Sequence, residues 1–275
     1  MNKKINILVA VTLFCLFWQC SQNKEEDPPV IEIECEPDIS VDELIIAKDC
    51  CFPDVVDKYI YTIGTEEWNN MLLLERLEAV QLPDSVLKSI SSFGLIRSFI
   101  DMPFEVYYLY FESNQFVPRV YYRFNSLKEL IKRNDGAKSL IAFYAATKLD
   151  CVESLIESNS FLKYREFILR LNTLELLFSQ LEILGKLCPE DRKIVVETSL
   201  IKYWQWYNTP PFDYPYGYLY YGSPNNIRLG LMVYLMYDDM LPYFDKGTLD
   251  YVKYYGNPLD IADDIIAFAD KFILK

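Results

Sequence analysis

The 275-residue chain contains no histidine, and this absence excludes several kinds of chemistry. Without imidazole there is no Ser-His-Asp or Cys-His nucleophilic system, no histidine general acid or base, and no zinc site built on histidine. Glycine is scarce, with nine residues, and the chain has neither a G-x-G-x-x-G sequence nor a Walker loop. Nucleotide binding therefore has no support. We expect a noncatalytic protein with no metal and no cofactor.

Basic residues are also few, with 27 against 40 acidic residues, which gives a formal net charge of −13. A negative chain repels phosphate backbones, so the composition disfavours nucleic acid as a partner. Hydrophobic residues make up 51% of the chain and aromatic residues 16%. This composition is typical of a folded protein with a sizeable core and not of a disordered chain.

Residues 1–19 have the layout of a secretory signal peptide. Lys3 and Lys4 precede an apolar run at residues 5–18, which is shorter than the ~20 residues that a membrane-spanning helix needs. Cys20 follows at the expected cleavage site and resembles the lipidated cysteine of bacterial lipoproteins, with Cys15 as a competing candidate. We therefore expect cleavage before Cys20 and attachment of the mature chain to the membrane through a lipid anchor on Cys20.

The residues after Cys20 predict where the anchored protein is located. Lys24, Glu25 and Glu26 resemble the export signal of surface lipoproteins in one large group of Gram-negative bacteria. We therefore expect the protein on the outer membrane, facing outward. Residues 20–44 carry nine acidic residues beyond position 20 against one basic residue, which predicts an extended acidic tether. Residues 45–275 are predicted to form a single α-helical domain.

Helical patterns dominate this domain. The clearest helix is predicted at residues 161–184, and the short connection to the next helix at Pro189 makes the two antiparallel. Residues 68–80 are apolar most of the way round a helix and are expected to be buried. The predicted class is all-α, an irregular antiparallel array, with an armadillo- or HEAT-like α–α superhelix as one form of it. Residues 104–124 are rich in strand-favouring aromatics and fit either a helix or a hairpin.

Two stretches of this domain resemble a family of all-helical surface lipoproteins of Gram-negative bacteria. The first begins at Trp68 and continues as LERLEAVQLP at residues 74–83. The second is FNSLKEL at residues 124–130, followed by Arg133, Asn134 and Asp135. The resemblance covers about residues 65–150 and implies an all-helical fold and a lipid-anchored location. The family is uncharacterised, so the resemblance implies no activity and no functional residue.

The cysteine pairing stays open at the level of the sequence. After loss of the signal peptide and lipidation of Cys20, five cysteines remain: Cys35, Cys50, Cys51, Cys151 and Cys188. In a compartment outside the cytoplasm, a disulfide can form between Cys35 and either Cys50 or Cys51. Cys151 and Cys188 are expected to be buried free thiols.

Residues 203–222 contain ten aromatic residues and three prolines, and the latter half is predicted to be a loop. In one interpretation the rings fold back on the helices as a lid. In the other they form a surface that binds sugar rings, a peptide or a partner protein. Tyr207 is expected to pack on the buried face of its helix. The candidate binding residues are Trp204, Trp206, Tyr214, Tyr216 and Tyr218.

The sequence therefore favours a noncatalytic role in binding or protein interaction at the cell envelope, with a glycan or an envelope protein as partner. The alternative is a carboxylate-dependent glycan hydrolase, which needs two placed acids. Candidates are Asp238 with Asp239, or the set Asp260, Asp263 and Asp264. With 40 acids such sets arise by chance, and the second set is explained by the helix dipole at the start of the last helix.

Overall fold

The computed structural model describes residues 51–103, 123–157, 161–208, 224–255 and 261–275, and within these ranges the regular structure is helical, without strands. The predicted all-α class is thereby confirmed. The first helices are α1 (Glu66–Asn70), α2 (Leu73–Ala79), α3 (Asp84–Ser89), α4 (Ser92–Ile100), α5 (Asn125–Lys132), α6 (Gly136–Ala146) and α7 (Cys151–Glu157). The later helices are α8 (Phe161–Phe178), α9 (Leu181–Leu184), α10 (Pro189–Tyr207), α11 (Pro224–Met240), α12 (Lys246–Tyr255) and α13 (Ala262–Leu274).

Several helix starts follow directly from local sequence. The Thr65 hydroxyl accepts a hydrogen bond from the Trp68 amide at 3.1 Å, and the Ser91 hydroxyl accepts one from the Gly94 amide at 2.9 Å. These bonds satisfy amides that have no partner inside α1 and α4. Pro189 begins α10, where its missing N–H costs nothing, and acidic residues follow it in the first turn.

Helix α10 packs against one helix from the first half of the chain and two from the second half. It packs against α6, α11 and α13, while α11 also packs against α8 and α12. In the first part of the chain, α4 packs against α5, α6 and α8. The apolar side chains at these contacts are fully buried, for example Leu140, Leu174, Phe178, Val196 and Met232. The superhelical arrangement stays a prediction.

The segment before α1 packs on the helices without being helical itself. The Phe52 ring lies 5.5 Å from the ring of Phe167 on α8, and the Tyr59 amide donates to the Ser98 hydroxyl at 2.7 Å. The Arg97 guanidinium donates to the Pro53 carbonyl at 2.8 Å. The chain is therefore held by side chains of α4 and α8 from its first described residues.

A disulfide bond also holds this segment and corrects the cysteine prediction. Cys51 is bonded to Cys151, the first residue of α7, with 5.5 Å between the Cα atoms. Cys188 is buried and disulfide-bonded too. Free thiols at Cys151 and Cys188 were the wrong expectation, as was Cys51 as a partner of Cys35. The sequence favoured near neighbours, whereas the fold joins positions 100 residues apart.

Residues 68–80 do not form the single buried helix that their composition predicts. Helix α1 ends at Asn70 and α2 begins at Leu73. Glu75 accepts a hydrogen bond from the Leu72 amide at 2.6 Å, so a new helix start interrupts the apolar pattern. As a result Leu72 and Leu74 are exposed, although Trp68, Leu77 and Val80 are buried as expected.

The two stretches that carry the family resemblance meet in the structure. The Asn125 side chain exchanges two hydrogen bonds with the Leu82 backbone, at 3.0 and 2.7 Å. The Asn125 amide donates to the Gln81 side-chain oxygen at 2.9 Å, and the Ser92 hydroxyl donates to Asp135 at 2.8 Å. These contacts form a structural joint between the α2–α4 region and the α5–α6 region. The family itself stays a prediction.

Some predictions fall on residues outside the described ranges. The signal peptide, the tether at residues 20–44 and most of the helix-or-hairpin segment at residues 104–124 are among them. Within the part of the chain that the structure describes, no helix combines the length and the hydropathy needed to cross a membrane.

Candidate functional site

The strongest candidate site lies in the last two turns of α10. We call it the aromatic surface and define it as Trp204, Trp206 and Tyr207. Trp204 is 45% exposed and Tyr207 is 67% exposed. Their rings meet edge to face with 5.7 Å between centroids, and both rings contact buried Tyr203, at 5.3 and 6.3 Å. Such edge-to-face and stacked contacts are favourable geometries for aromatic rings, so the exposed side chains are positioned before any ligand arrives.

The three residues of this surface differ in how far they are exposed to solvent. Trp204 is exposed, as predicted. Trp206 is half-buried, because its ring stacks on Tyr164 of α8 at 6.2 Å and lies 5.7 Å from the guanidinium of Arg228. The prediction that Tyr207 packs on the buried face is wrong. Tyr203 fills that position one turn earlier, and α10 ends at Tyr207.

The remaining candidate residues lie outside the described ranges. They are Tyr214, Tyr216 and Tyr218 in the segment between α10 and α11, together with Cys20, Lys24, Glu25 and Glu26 near the N-terminus. Their roles stay predictions. Because residue 208 directly follows α10, the tyrosine-rich segment is continuous in sequence with the aromatic surface.

A second feature lies beneath the aromatic surface, and we call it the charge cluster: Tyr144 on α6, Glu175 on α8, Lys202 on α10 and Arg228 on α11. Arg228 and Glu175 form an ion pair at 2.6 Å in which both side chains are fully buried. The Tyr144 hydroxyl donates to the same Glu175 oxygen at 3.0 Å. The Lys202 ammonium donates to the Thr147 carbonyl and lies 5.2 Å from the Tyr144 ring. The cluster therefore connects four helices through charged and polar side chains.

Burial shifts the pKa values of these groups. It raises the pKa of the Glu175 carboxyl above its ordinary value, although the Arg228 guanidinium opposes this rise. It lowers the pKa of the Lys202 ammonium to about 8, and the positive charge of Arg228 adds to the decrease. It also raises the pKa of the Tyr144 hydroxyl well above its ordinary range. The physical cause is the cost of keeping charge away from water.

Two polar atoms of the cluster have no hydrogen-bond partner among the described residues. Among the described residues, no hydrogen bond reaches the second carboxylate oxygen of Glu175 or the Nη2 nitrogen of Arg228. A buried polar atom without a partner costs stability. Shifted pKa values of this kind are common in active sites. Here, however, Glu175 and Arg228 expose no surface, so in this arrangement a substrate has no access to them.

The sequence contains a signal for this cluster that the sequence analysis did not use. Glu175 stands between Leu174 and Leu176, and Arg228 lies in the apolar stretch that begins at residue 227. A single charged residue within an apolar helix is expected to be buried with an opposite charge. The two positions are 53 residues apart, so only the fold shows that they pair.

The acids proposed for a hydrolase do not form a shared buried site. Asp238 and Asp239 are exposed near the end of α11, and Asp239 lies 3.5 Å from the Lys275 ammonium. Asp263 and Asp264 are exposed in the first turn of α13, whereas Asp260 lies outside the described ranges. Among the described residues, no three acidic or cysteine side chains are grouped closely enough to hold a metal ion.

Comparisons with known proteins add no family to these observations. The chain matches no protein-family model, no curated protein and no solved structure.

Proposed function

We propose that this chain is an exported lipoprotein that acts by noncatalytic binding at the cell envelope, with the aromatic surface as its contact site. The observation that carries the proposal is the exposure of Trp204 and Tyr207 at the end of a well-packed helix. A protein that had only to bury its core would gain nothing from positioning two large rings in water. Tyrosine and tryptophan are the residues most often found at the energetic centre of binding sites.

The surface suits a partner with flat apolar faces, such as a glycan or an envelope protein. The rings provide a large contact area and lose little conformational entropy on binding, because few side-chain torsions need to be fixed. Tyr214, Tyr216 and Tyr218 remain candidate binding residues within the same proposal. The net charge of −13 argues against an anionic partner such as nucleic acid.

The Cys51–Cys151 disulfide supports the proposed location. Disulfides form and persist in oxidising compartments and are rare in the cytosol of most organisms. Together with the signal-like residues 1–19 and Cys20, this supports export and lipid anchoring at the outer membrane. Cys20→Ser should release the protein from the membrane fraction or leave it unprocessed, since lipid chains provide the attachment. An unmodified Cys20 in protein purified from native membranes would contradict the proposal.

Surface exposure is a separate part of the proposal. Replacing Lys24, Glu25 and Glu26 by alanine should reduce protease digestion of the protein on whole cells. The matched measurement is digestion after the cells are opened, which should be equal for both proteins. Unchanged digestion on whole cells would count against an export signal at these residues.

Binding is tested with immobilised protein and two probes from the same cells, purified envelope polysaccharide and detergent-solubilised envelope protein. We expect one probe to bind, and the Trp204→Ala/Tyr207→Ala variant to weaken binding at least about thirtyfold, as expected for hot-spot residues. The control is Ile194→Ala, which removes an exposed side chain of the same helix about 15 Å from Trp204. Equal binding by both variants, or none by the unchanged chain, would refute the proposal. Shortening of the polysaccharide would instead favour the hydrolase.

A further inference from the structure

One residue of the charge cluster contacts the aromatic surface directly. The Arg228 guanidinium lies 5.7 Å from the centre of the Trp206 ring, within the range of a cation–π interaction. Its Nη1 nitrogen donates to the Lys202 carbonyl at 3.2 Å, and this carbonyl is one helical turn before Trp206 on α10. Arg228 therefore contacts the final part of α10 at two points, a backbone oxygen and an aromatic ring.

The guanidinium is itself fixed from the other side. Its Nε nitrogen donates to Glu175 of α8 at 2.6 Å, and Nη1 also donates to the Asn225 side chain at 3.1 Å. Each of these bonds uses a defined edge of the planar guanidinium, so its orientation is determined by α8 and by its own helix. The same helix α8 contributes Tyr164, whose ring stacks on Trp206. The ring of Trp206 is thus positioned by α8 directly and by α8 through Arg228.

From this geometry we infer that Arg228 is a positioning residue, which, together with Glu175, holds Trp206 and the last turn of α10 in the orientation that the proposed binding surface needs. The part of the inference that concerns binding rests on the proposed function. The orientation of Trp206 can be measured without a ligand. A ring that is already positioned loses little entropy on binding, so its loosening should weaken affinity without removing any direct contact. This role also accounts for a buried charge pair that leaves two polar atoms without described partners.

The difficulty in testing a buried arginine is that its removal leaves Glu175 buried without a counter-charge. Replacing both members of a buried ion pair by apolar residues avoids this, because such double variants are often as stable as the original. The Glu175→Met/Arg228→Met double variant should therefore fold. A second variant, Arg228→Lys, keeps the positive charge but lacks the planar group that reaches both the Lys202 carbonyl and Trp206.

The readout is the fluorescence of Trp206. The chain has four tryptophans, and replacing Trp18, Trp68 and Trp204 by phenylalanine leaves Trp206 as the single emitter. In this background the double variant and Arg228→Lys should retain helical circular dichroism and cooperative melting. Acrylamide quenching of Trp206 should rise about twofold in both, because the ring loses its cation contact and gains access to solvent. Arg133→Met is the control, since Arg133 binds the C-terminal end of α3 and does not contact α10 in the described contacts.

Unchanged quenching of Trp206 in the folded double variant would overturn the inference, whatever the binding results are. In the background that retains all tryptophans, the double variant should also bind the active envelope probe about tenfold more weakly, through the lost pre-organisation. If quenching rises but affinity is unchanged, Arg228 is not a positioning residue for binding. If Trp204→Ala/Tyr207→Ala binds normally while quenching rises, the proposed function fails and the positioning of Trp206 by Arg228 remains.

Discussion

Two arginines, Arg133 and Arg228, each join several helices, but they bind different partners. Arg133 donates to the carbonyls of Leu87 at 2.9 Å and Ile90 at 2.7 Å, at the end of α3. These two partners are neutral, and a third partner is the carboxylate of Glu129, 3.4 Å from the Nε nitrogen in an ion pair whose two side chains are 19% and 32% exposed to water. Arg228 is fully buried and is paired with the carboxylate of Glu175. Water can hydrate a partly exposed ion pair, whereas a fully buried arginine depends on its counter-charge.

The difference has consequences for how each region responds to change. All three nitrogens of the Arg133 guanidinium have partners, and Lys186 adds bonds to the carbonyls of Ile131 and Arg133. That region is a partly exposed joint, because its ion pair between Arg133 and Glu129 is accessible to water. In the charge cluster, three ionisable groups have shifted pKa values. Its stability should therefore depend on pH and on each individual partner, and the following predictions test this comparison.

The largest effect is expected from the Cys51–Cys151 disulfide, which joins the segment before α1 to α7. Cys51→Ala/Cys151→Ala opens a loop of 100 residues, and chain-entropy arguments assign about 4–5 kcal/mol to a closed loop of this size. For a chain of this length the melting temperature should fall by about 10–15 °C. Peptide mapping without reductant should recover the two cysteines in one cross-linked fragment. Recovery of both as free thiols would contradict the structure here.

The two arginines themselves give the next largest effect. Arg228→Met should lower the free energy of unfolding by about 3–5 kcal/mol, because it leaves Glu175 buried without its counter-charge. Arg133→Met should lower it by about 1–3 kcal/mol, because the released carbonyls are close enough to the surface to be partly hydrated. Denaturant titration measures both values. Equal losses would mean that the buried carboxylate does not distinguish the two regions.

The class of fold and the position of α10 could be predicted from the sequence. The pairings between residues far apart in the chain could not. Helix starts such as Thr65 and Pro189 depend on neighbours within four residues, so local sequence predicts them. The Cys51–Cys151 bond and the Glu175–Arg228 pair depend on positions 100 and 53 residues apart. No local pattern specifies such pairings, although a lone charge in an apolar helix indicates that some partner exists.

The aromatic surface shows the same limit at shorter range. Helical spacing placed Tyr207 on the same face as Tyr203, and this part of the reasoning is geometrically sound, since the two rings stack at 6.3 Å. Whether a residue on that face is covered depends on where the neighbouring helices extend. Tyr203 is buried and Tyr207 is exposed at the last turn of α10, which the spacing alone does not reveal.

The pH dependence of the charge cluster is the third prediction. The pKa of Lys202 is about 8 in the folded protein against 10.5 for an ordinary lysine, so between these values the unfolded chain binds a proton that the folded chain does not. Raising the pH through this window therefore favours folding, by about 2 kcal/mol from pH 8 to 10. Subtracting the profile of Lys202→Met isolates this contribution, because the other groups that titrate in this window are common to both proteins.

Arg133→Met provides the comparison between regions for this measurement. Arg133 does not contact Lys202 in the described contacts, so this variant should leave the rise between pH 8 and 10 unchanged, with only a parallel offset from the unmodified protein. A flat difference between the unmodified protein and Lys202→Met across the window would show that Lys202 does not titrate there.

The smallest effect is expected at the exposed rings, and it separates the aromatic surface from the buried layer beneath it. Trp204→Ala and Tyr207→Ala should each change the free energy of unfolding by only about 0.5 kcal/mol, since both side chains already contact water. Tyr203→Ala removes a buried ring that contacts both exposed rings, and it should cost about 3 kcal/mol or more. Thermal melts of the three variants, made in parallel, measure this contrast. If Trp204→Ala or Tyr207→Ala lowers the melting temperature as much as Tyr203→Ala, the exposed rings belong to the core, and the binding surface would have to be sought elsewhere on the chain.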